Sequence, residues 1–192
     1  MIYGVYKNAR DAAWQCILDY GINALPVKVS DITRRAGIII LKNSIVQELS
    51  DGQSGFTICQ NGKCYVVYQD AEPPYRCRFT IAHELGHILL GHVLVDTPKY
   101  RTFSENDENE NAANVFARDL LAPACVLHEL NITSAEDISR VCNISMHAAE
   151  IRSERLRLLK DRNAWYMHPL ERQVYKQFEP FIKKYRSEST SL

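Results

Sequence analysis

The sequence predicts an α+β chain in which a small antiparallel or mixed sheet lies near the N-terminus and the remainder is helical. Three observations carry this. Apolar residues recur at helical spacing early in the chain, Asn61-Gly62 joins two β-prone runs, and after Pro73-Pro74 the pattern turns helical and stays so. Residues 7–20 read as an amphipathic helix, with Ala12, Ala13, Cys16, Ile17 and Tyr20 on one face and Gly21 as a stop. Ser30 is placed to cap a short helix at 31–36, closed by Gly37. Ile38–Leu41 reads as a buried strand, and 56–60 with 63–69 as a hairpin closed by a Pro-Pro turn. The helical part comprises 78–91, an acidic connector from Ser104 to Asn109, 108–122, 124–130, 134–141, 146–161 and a last helix after Pro169, with Ser187–Leu192 expected to fray. In that last helix Val174, Phe178, Phe181, Ile182 and Tyr185 form an apolar stripe expected to fold back on the core, the alternative being that it serves a partner.

Composition narrows the classes. The 192 residues carry 23 Lys+Arg against 23 Asp+Glu, so no global field draws the chain to nucleic acid or anionic membrane. No apolar run approaches a membrane span, and the first residues lack the basic and apolar regions of a signal peptide, which makes the cytoplasm the expected location. The six cysteines form no C-x-x-C pair and are expected to be reduced, buried or half-buried thiols. Cys59 and Cys64 flank Asn61-Gly62 and are the one pair that a hairpin would bring face to face.

Chemistry concentrates at His83-Glu84-Leu85-Gly86-His87, an H-E-x-x-H run inside a helical segment. At about 100° per residue, His87 falls near 40° from His83 and Glu84 near 100°, so two imidazoles share one side with the carboxylate beside them. Ile81, Leu85, Ile88 and Leu89 fall between about 140° and 240°, which predicts an opposite apolar face. Catalytic zinc takes three protein ligands and leaves one position open. The pattern with a third His ten residues after the first fails here, because that position is Val93 and its expected Gly is Leu90. His92 lies about 180° from His83 on the wheel and reads as a core or surface histidine. Glu110 is the better third ligand. It aligns with Ala113, Ala117, Leu120 and Leu121 on a core stripe, where a carboxylate is costly unless paired or metal-bound. The small alanines beside it admit a second helix. Asn114, one turn on, is placed to hold the free ring nitrogen of a liganding His or else only to bridge backbone, whereas Asp107 and Glu108 read as solvated connector.

The run from Arg76 through His83-Glu84-Leu85-Gly86-His87 to His92, followed by Glu110-x-x-Ala113-Asn114-x-Phe116-Ala117-x-x-Leu120-Leu121-x-Pro123, resembles the ImmA/IrrE metallopeptidases. Ala112 departs from that family, which commonly has a second acidic residue there. The resemblance implies a minimal zincin-like domain over 1–123, with an H-E-x-x-H helix and a Glu-bearing helix, and a helical region over 124–192 packed on it. It further implies a zinc-dependent endopeptidase that cleaves a helix-turn-helix transcriptional repressor and so relieves repression, in a mobile element or a stress response. By that resemblance His83, His87 and Glu110 are the Zn2+ ligands and Glu84 the general base. The strand Cys64–Tyr68 can pair with an extended substrate if it edges the sheet, or else is ordinary sheet.

Two other classes compete. One is a regulator that keeps the zincin scaffold and works by binding a repressor or other partner without proteolysis. The other is DNA binding through a weak helix-turn-helix-like pattern, in which Thr133–Ile138 begins the first helix and Arg152, Arg155, Arg157, Lys160 and Arg162 lie on the second. Glu150, Glu154 and Asp161 leave that second helix a net of about +2, which is thin for DNA and reads as a solvated face.

Overall fold

The computed structural model describes residues 2–93 and 108–189. Its elements run α1 (Ile2–Asp19), α2 (Val29–Arg35), β1 (Ile39–Lys42), α3 (Asn43–Val46), β2 (Gly55–Gln60), β3 (Lys63–Tyr68), α4 (Pro74–Leu89), α5 (Glu108–Leu121), α6 (Ala124–Glu129), α7 (Ala135–Cys142), α8 (Met146–Asp161) and α9 (Pro169–Ser189). The fold is α+β, as in a minimal zincin-like domain. The chain divides into two compact units, one of residues 1–12 and 28–117 and the other of 13–27 and 118–192.

In the first unit the sheet has the order β1-β3-β2, with β1 parallel and β2 antiparallel to β3. Asn61 and Gly62, at φ 52° and 72°, form the two-residue connection whose twist suits a hairpin. The strand Cys64–Tyr68, open to a substrate only if it lay at the edge of the sheet, is therefore the central one. Its backbone is paired on both sides, and Val66 and Val67, which point to opposite faces, are both buried. It cannot receive a substrate strand.

The same register sets Cys59 opposite Cys64, and the two form a disulfide with Cα atoms 4.0 Å apart. This corrects the expectation of six reduced thiols. One step in from the hairpin's closing pair, antiparallel strands approach most closely and side chains meet directly. Cys16, Cys77, Cys125 and Cys142 are free thiols.

Several boundaries move for local reasons. The Pro73-Pro74 turn is the start of α4, because Pro at the first helical position has no N–H to lose and a φ already suited to a helix. Lys28, and not Ser30, precedes α2, while Gly37 closes it at φ 70° as expected. The short helix α3 has no apolar periodicity to announce it. It is held by the Asn43 side chain, which accepts from the N–H groups of Glu48 and Leu49, and by Asp70, which accepts from the Ser44 hydroxyl and N–H.

In the second unit Ser134 and Ser145 cap α7 and α8, accepting from Asp137 N–H and Ala148 N–H at 3.2 Å each. Asn143 takes the left-handed conformation between them and α7 packs on α8. Arg152, counted above among the basic residues of α8, faces inward. It is 1% exposed and donates to Asp119 Oδ1 at 2.9 Å and to the Arg118 carbonyl at 2.7 Å. Val174, Phe178 and Ile182 of α9 are buried, and the Gln177 amide donates to the carbonyls of Ile17 and Ile22. The helix continues through Ser189, past the expected fraying point; residues 190–192, like Ser104–Asp107 of the acidic connector, lie outside the described residues.

Candidate metal centre

Helix α4 carries the histidines between two neighbours, and both approaches are short. On one side Gly86 meets α5, where a Cβ would lie 3.0 Å from Phe116 Cδ1 and 3.3 Å from the Ala113 Cα. A methyl group there would require Phe116 or the Ala113 backbone to give by a few tenths of an ångström. On the other side Gly55 opens β2 so near α4 that a Cβ would lie 2.5 Å from Thr80 Cγ2. Being covered on two sides, α4 buries Thr80, Ala82, Glu84, Leu85, Gly86 and His87. The single apolar face expected from the wheel is only partly realised, since Leu85 is fully buried while Leu89 is 42% exposed at the helix end.

That close packing brings Glu110, in the first turn of α5, to the two rings. His83 Nε2 lies 3.1 Å from Glu110 Oε2, His87 Nε2 lies 3.1 Å from Glu110 Oε1, and the two Nε2 atoms are 3.0 Å apart. Among the described residues these three form a group able to hold a metal ion. Tetrahedral zinc with bonds of about 2.0–2.2 Å needs ligand atoms about 3.4 Å apart, so a few tenths of an ångström would seat it.

The hydrogen bonds around the rings point the same way. Asn114 Oδ1 is 3.0 Å from His83 Nδ1, and His92 Nδ1 is 3.1 Å from His87 Nδ1. An Asn oxygen only accepts, so His83 carries its proton on Nδ1 and turns a lone pair on Nε2 toward the centre. Imidazole and carboxylate lone pairs converging at about 3 Å repel unless a cation or proton lies between them. The donor set fits a divalent metal of the zinc type.

Electrostatics follow from the same crowding. Burial opposes charge on His83, but hydrogen bonding to Glu110 and the fields of Glu84 and Glu110 outweigh it and raise its pKa. Burial also works against the Glu110 carboxylate, yet the two histidines hold its pKa below the usual range. Glu84 goes the other way. It is 8% exposed, and burial raises its pKa against the pull of His83, of a 2.7 Å hydrogen bond from the Thr57 hydroxyl and of His87.

His83, Glu84, His87, Glu110 and Asn114, all singled out in the sequence, thus lie together in the first unit. Two neighbours were not singled out. His92 was placed opposite the site by continuing the helical wheel past the helix end. Gly91, at φ 73°, turns the chain back, and that glycine was the available signal. Thr57 lies on β2, with nothing local to connect it to a helix 27 residues later. Ala112 is fully buried beside Ala9, Val115 and Leu90, so an acidic residue there would have no water to face.

A helix bearing two histidines, closed by a glutamate from the next helix, is the framework of a metallopeptidase. The family model for the IrrE N-terminal-like domain matches residues 33–154, more than half of the chain. The chain belongs to this family of zinc metallopeptidases. Among curated proteins none matches the chain significantly. Among the described residues no helix is long and apolar enough to cross a membrane.

Proposed function

We propose that the protein is a zinc-dependent endopeptidase, active in the cytoplasm, whose substrate is a helix-turn-helix transcriptional repressor, so that cleavage relieves repression. The observation that carries the peptidase reading is the convergence of His83 Nε2, His87 Nε2 and the Glu110 carboxylate at 3.0–3.1 Å beside a buried Glu84. The resemblance to the ImmA/IrrE proteins supports the repressor as substrate.

In this reading His83, His87 and Glu110 hold the metal, and Asn114 orients the His83 ring. Bound zinc would supply a Lewis acid for the scissile carbonyl and an acidified water. Glu84 takes the proton from the attacking water and delivers it to the leaving amine. Its raised pKa suits both halves of that task, since a carboxylate that holds a proton more readily than usual is the better base and can still release it. Thr57 keeps one carboxylate oxygen engaged and fixes the side chain's direction. Strand β2, at the edge of the sheet and in contact with Glu84 through Thr57, is the strand along which an extended peptide would pair.

The test is metal content and cleavage on one set of proteins. Wild type is expected to carry about one zinc, His83→Ala and Glu110→Ala to lose it, and Glu84→Gln to keep it but not cut a helix-turn-helix repressor supplied as substrate. Full zinc occupancy in His83→Ala would sink the ligand assignment. Repressor binding without Glu84-dependent cleavage would make the protein a binding regulator, and a salt-sensitive shift of duplex DNA would make it a DNA-binding protein.

A further inference from the structure

We infer that His92 is a positioning residue for His87, accepting the His87 Nδ1 proton and thereby presenting Nε2 as a lone-pair donor toward His83 and Glu110. The direction of that hydrogen bond and its consequence for metal binding rest on the zinc reading above, while the 3.1 Å contact between the two Nδ1 atoms does not.

His92 is tied to His87 twice. Helix α4 ends at Leu90 and Gly91 takes a left-handed φ of 73°. The Gly91 N–H then bonds the Ile88 carbonyl at 3.1 Å, and the His92 N–H bonds the His87 carbonyl at 2.9 Å. These are the paired bonds of a Schellman turn, and they fix the His92 backbone on the residue whose ring its side chain meets. The rings lie edge to face, with centroids 5.1 Å apart and planes at 67°, and their Nδ1 atoms are 3.1 Å apart.

Two imidazole nitrogens at that distance form a hydrogen bond only if one carries the hydrogen and the other a lone pair. The choice is settled at the far side of the His87 ring. Its Nε2 faces His83 Nε2 at 3.0 Å and Glu110 Oε1 at 3.1 Å, where a lone pair is needed to bind a cation. A neutral ring with a lone pair on Nε2 carries its proton on Nδ1. His87 is therefore the donor, and His92 accepts on Nδ1 with its own proton on Nε2. The two liganding rings are thus oriented by acceptors from different parts of the fold, Asn114 of α5 for His83 and the turn after α4 for His87.

The experiment uses full-length protein with 15N-labelled histidine, metal-free and with zinc alone, comparing wild type, His92→Ala and His92→Asn. Asn is the conservative variant, because its Oδ1 stands where His Nδ1 stands. Wild type is expected to show a 15N–15N coupling across the His87–His92 hydrogen bond with the proton on His87. Zinc affinity by chelator competition is expected to fall about 10- to 100-fold in His92→Ala and to recover largely in His92→Asn. Wild-type zinc affinity in His92→Ala, or His87 protonated on Nε2 in the zinc form, would overturn the assignment. Should wild type bind no zinc, the zinc reading falls, and the coupling in metal-free protein still decides whether His92 accepts from His87. Should His92→Ala misfold, the wild-type coupling and His92→Asn carry the test.

Discussion

Glu84 shows how much one residue's chemistry depends on a neighbour distant in sequence. Burial alone would push its carboxyl upward, and the Thr57 hydroxyl, donating to Oε2 at 2.7 Å, holds that rise in check by stabilising the charged form. Thr57→Val keeps the shape and removes the donor, so the Glu84 carboxyl rises further. Because Glu84, as the proposed base, would work deprotonated, the acid limb of kcat/KM should move to higher pH, as read from cleavage rates of the two proteins across pH 4–8. An unmoved or lower acid limb would contradict this. The positions of His83, Glu84 and His87 were legible from spacing alone, since one helix sets their relation. Glu110 was legible because a carboxylate on an apolar stripe needs a partner. Thr57 was not, because nothing in a β-prone run states which helix will cover it.

Helix α4 can carry this chemistry only because α5 comes close, and Gly86 permits that. Gly86→Ala is expected to lower stability by about 1–3 kcal/mol in denaturant titration, since neither Phe116 nor the Ala113 backbone can retreat freely. The alanines of α5 were visible in the sequence as room for a neighbouring helix; which glycine faced them was not. In α8 the reverse holds. Arg152 counted as one more cation of a solvated face, and the fold turned it inward onto Asp119, 4% exposed, at 2.9 Å. Arg152→Met takes the buried one of two charge partners from that carboxylate, Arg118 remaining 3.4 Å from Oδ2, and should cost about 2–3 kcal/mol by the same titration. Arg157, exposed and 3.8 Å from Glu154, should cost little when changed to Ala. A difference of less than 1 kcal/mol between the two variants would rule out a structural role for the buried pair.

At the scale of the whole molecule, a metal bound by residues of α4 and α5 belongs to the folded state and is lost on unfolding. Zinc at about 100 times its dissociation constant should therefore add about 2.7 kcal/mol and raise Tm, and chelation should reverse the rise in wild type but leave His83→Ala unmoved. Equal melting of wild type with and without zinc would exclude the coupling. The amino-acid sequence by itself determined the α+β class, the hairpin at Asn61-Gly62, the order of the helices and the two histidines with their intervening glutamate. Each follows from neighbours a few residues apart, where backbone geometry leaves little freedom. Only the tertiary structure decided that β3 lies in the middle of the sheet, that Arg152 points inward and that Thr57 and His92 attend the site. Strand order and the partners of buried polar groups depend on which distant surfaces meet, and on a helix ending where Gly91 turns the chain back; helical or strand periodicity carries neither.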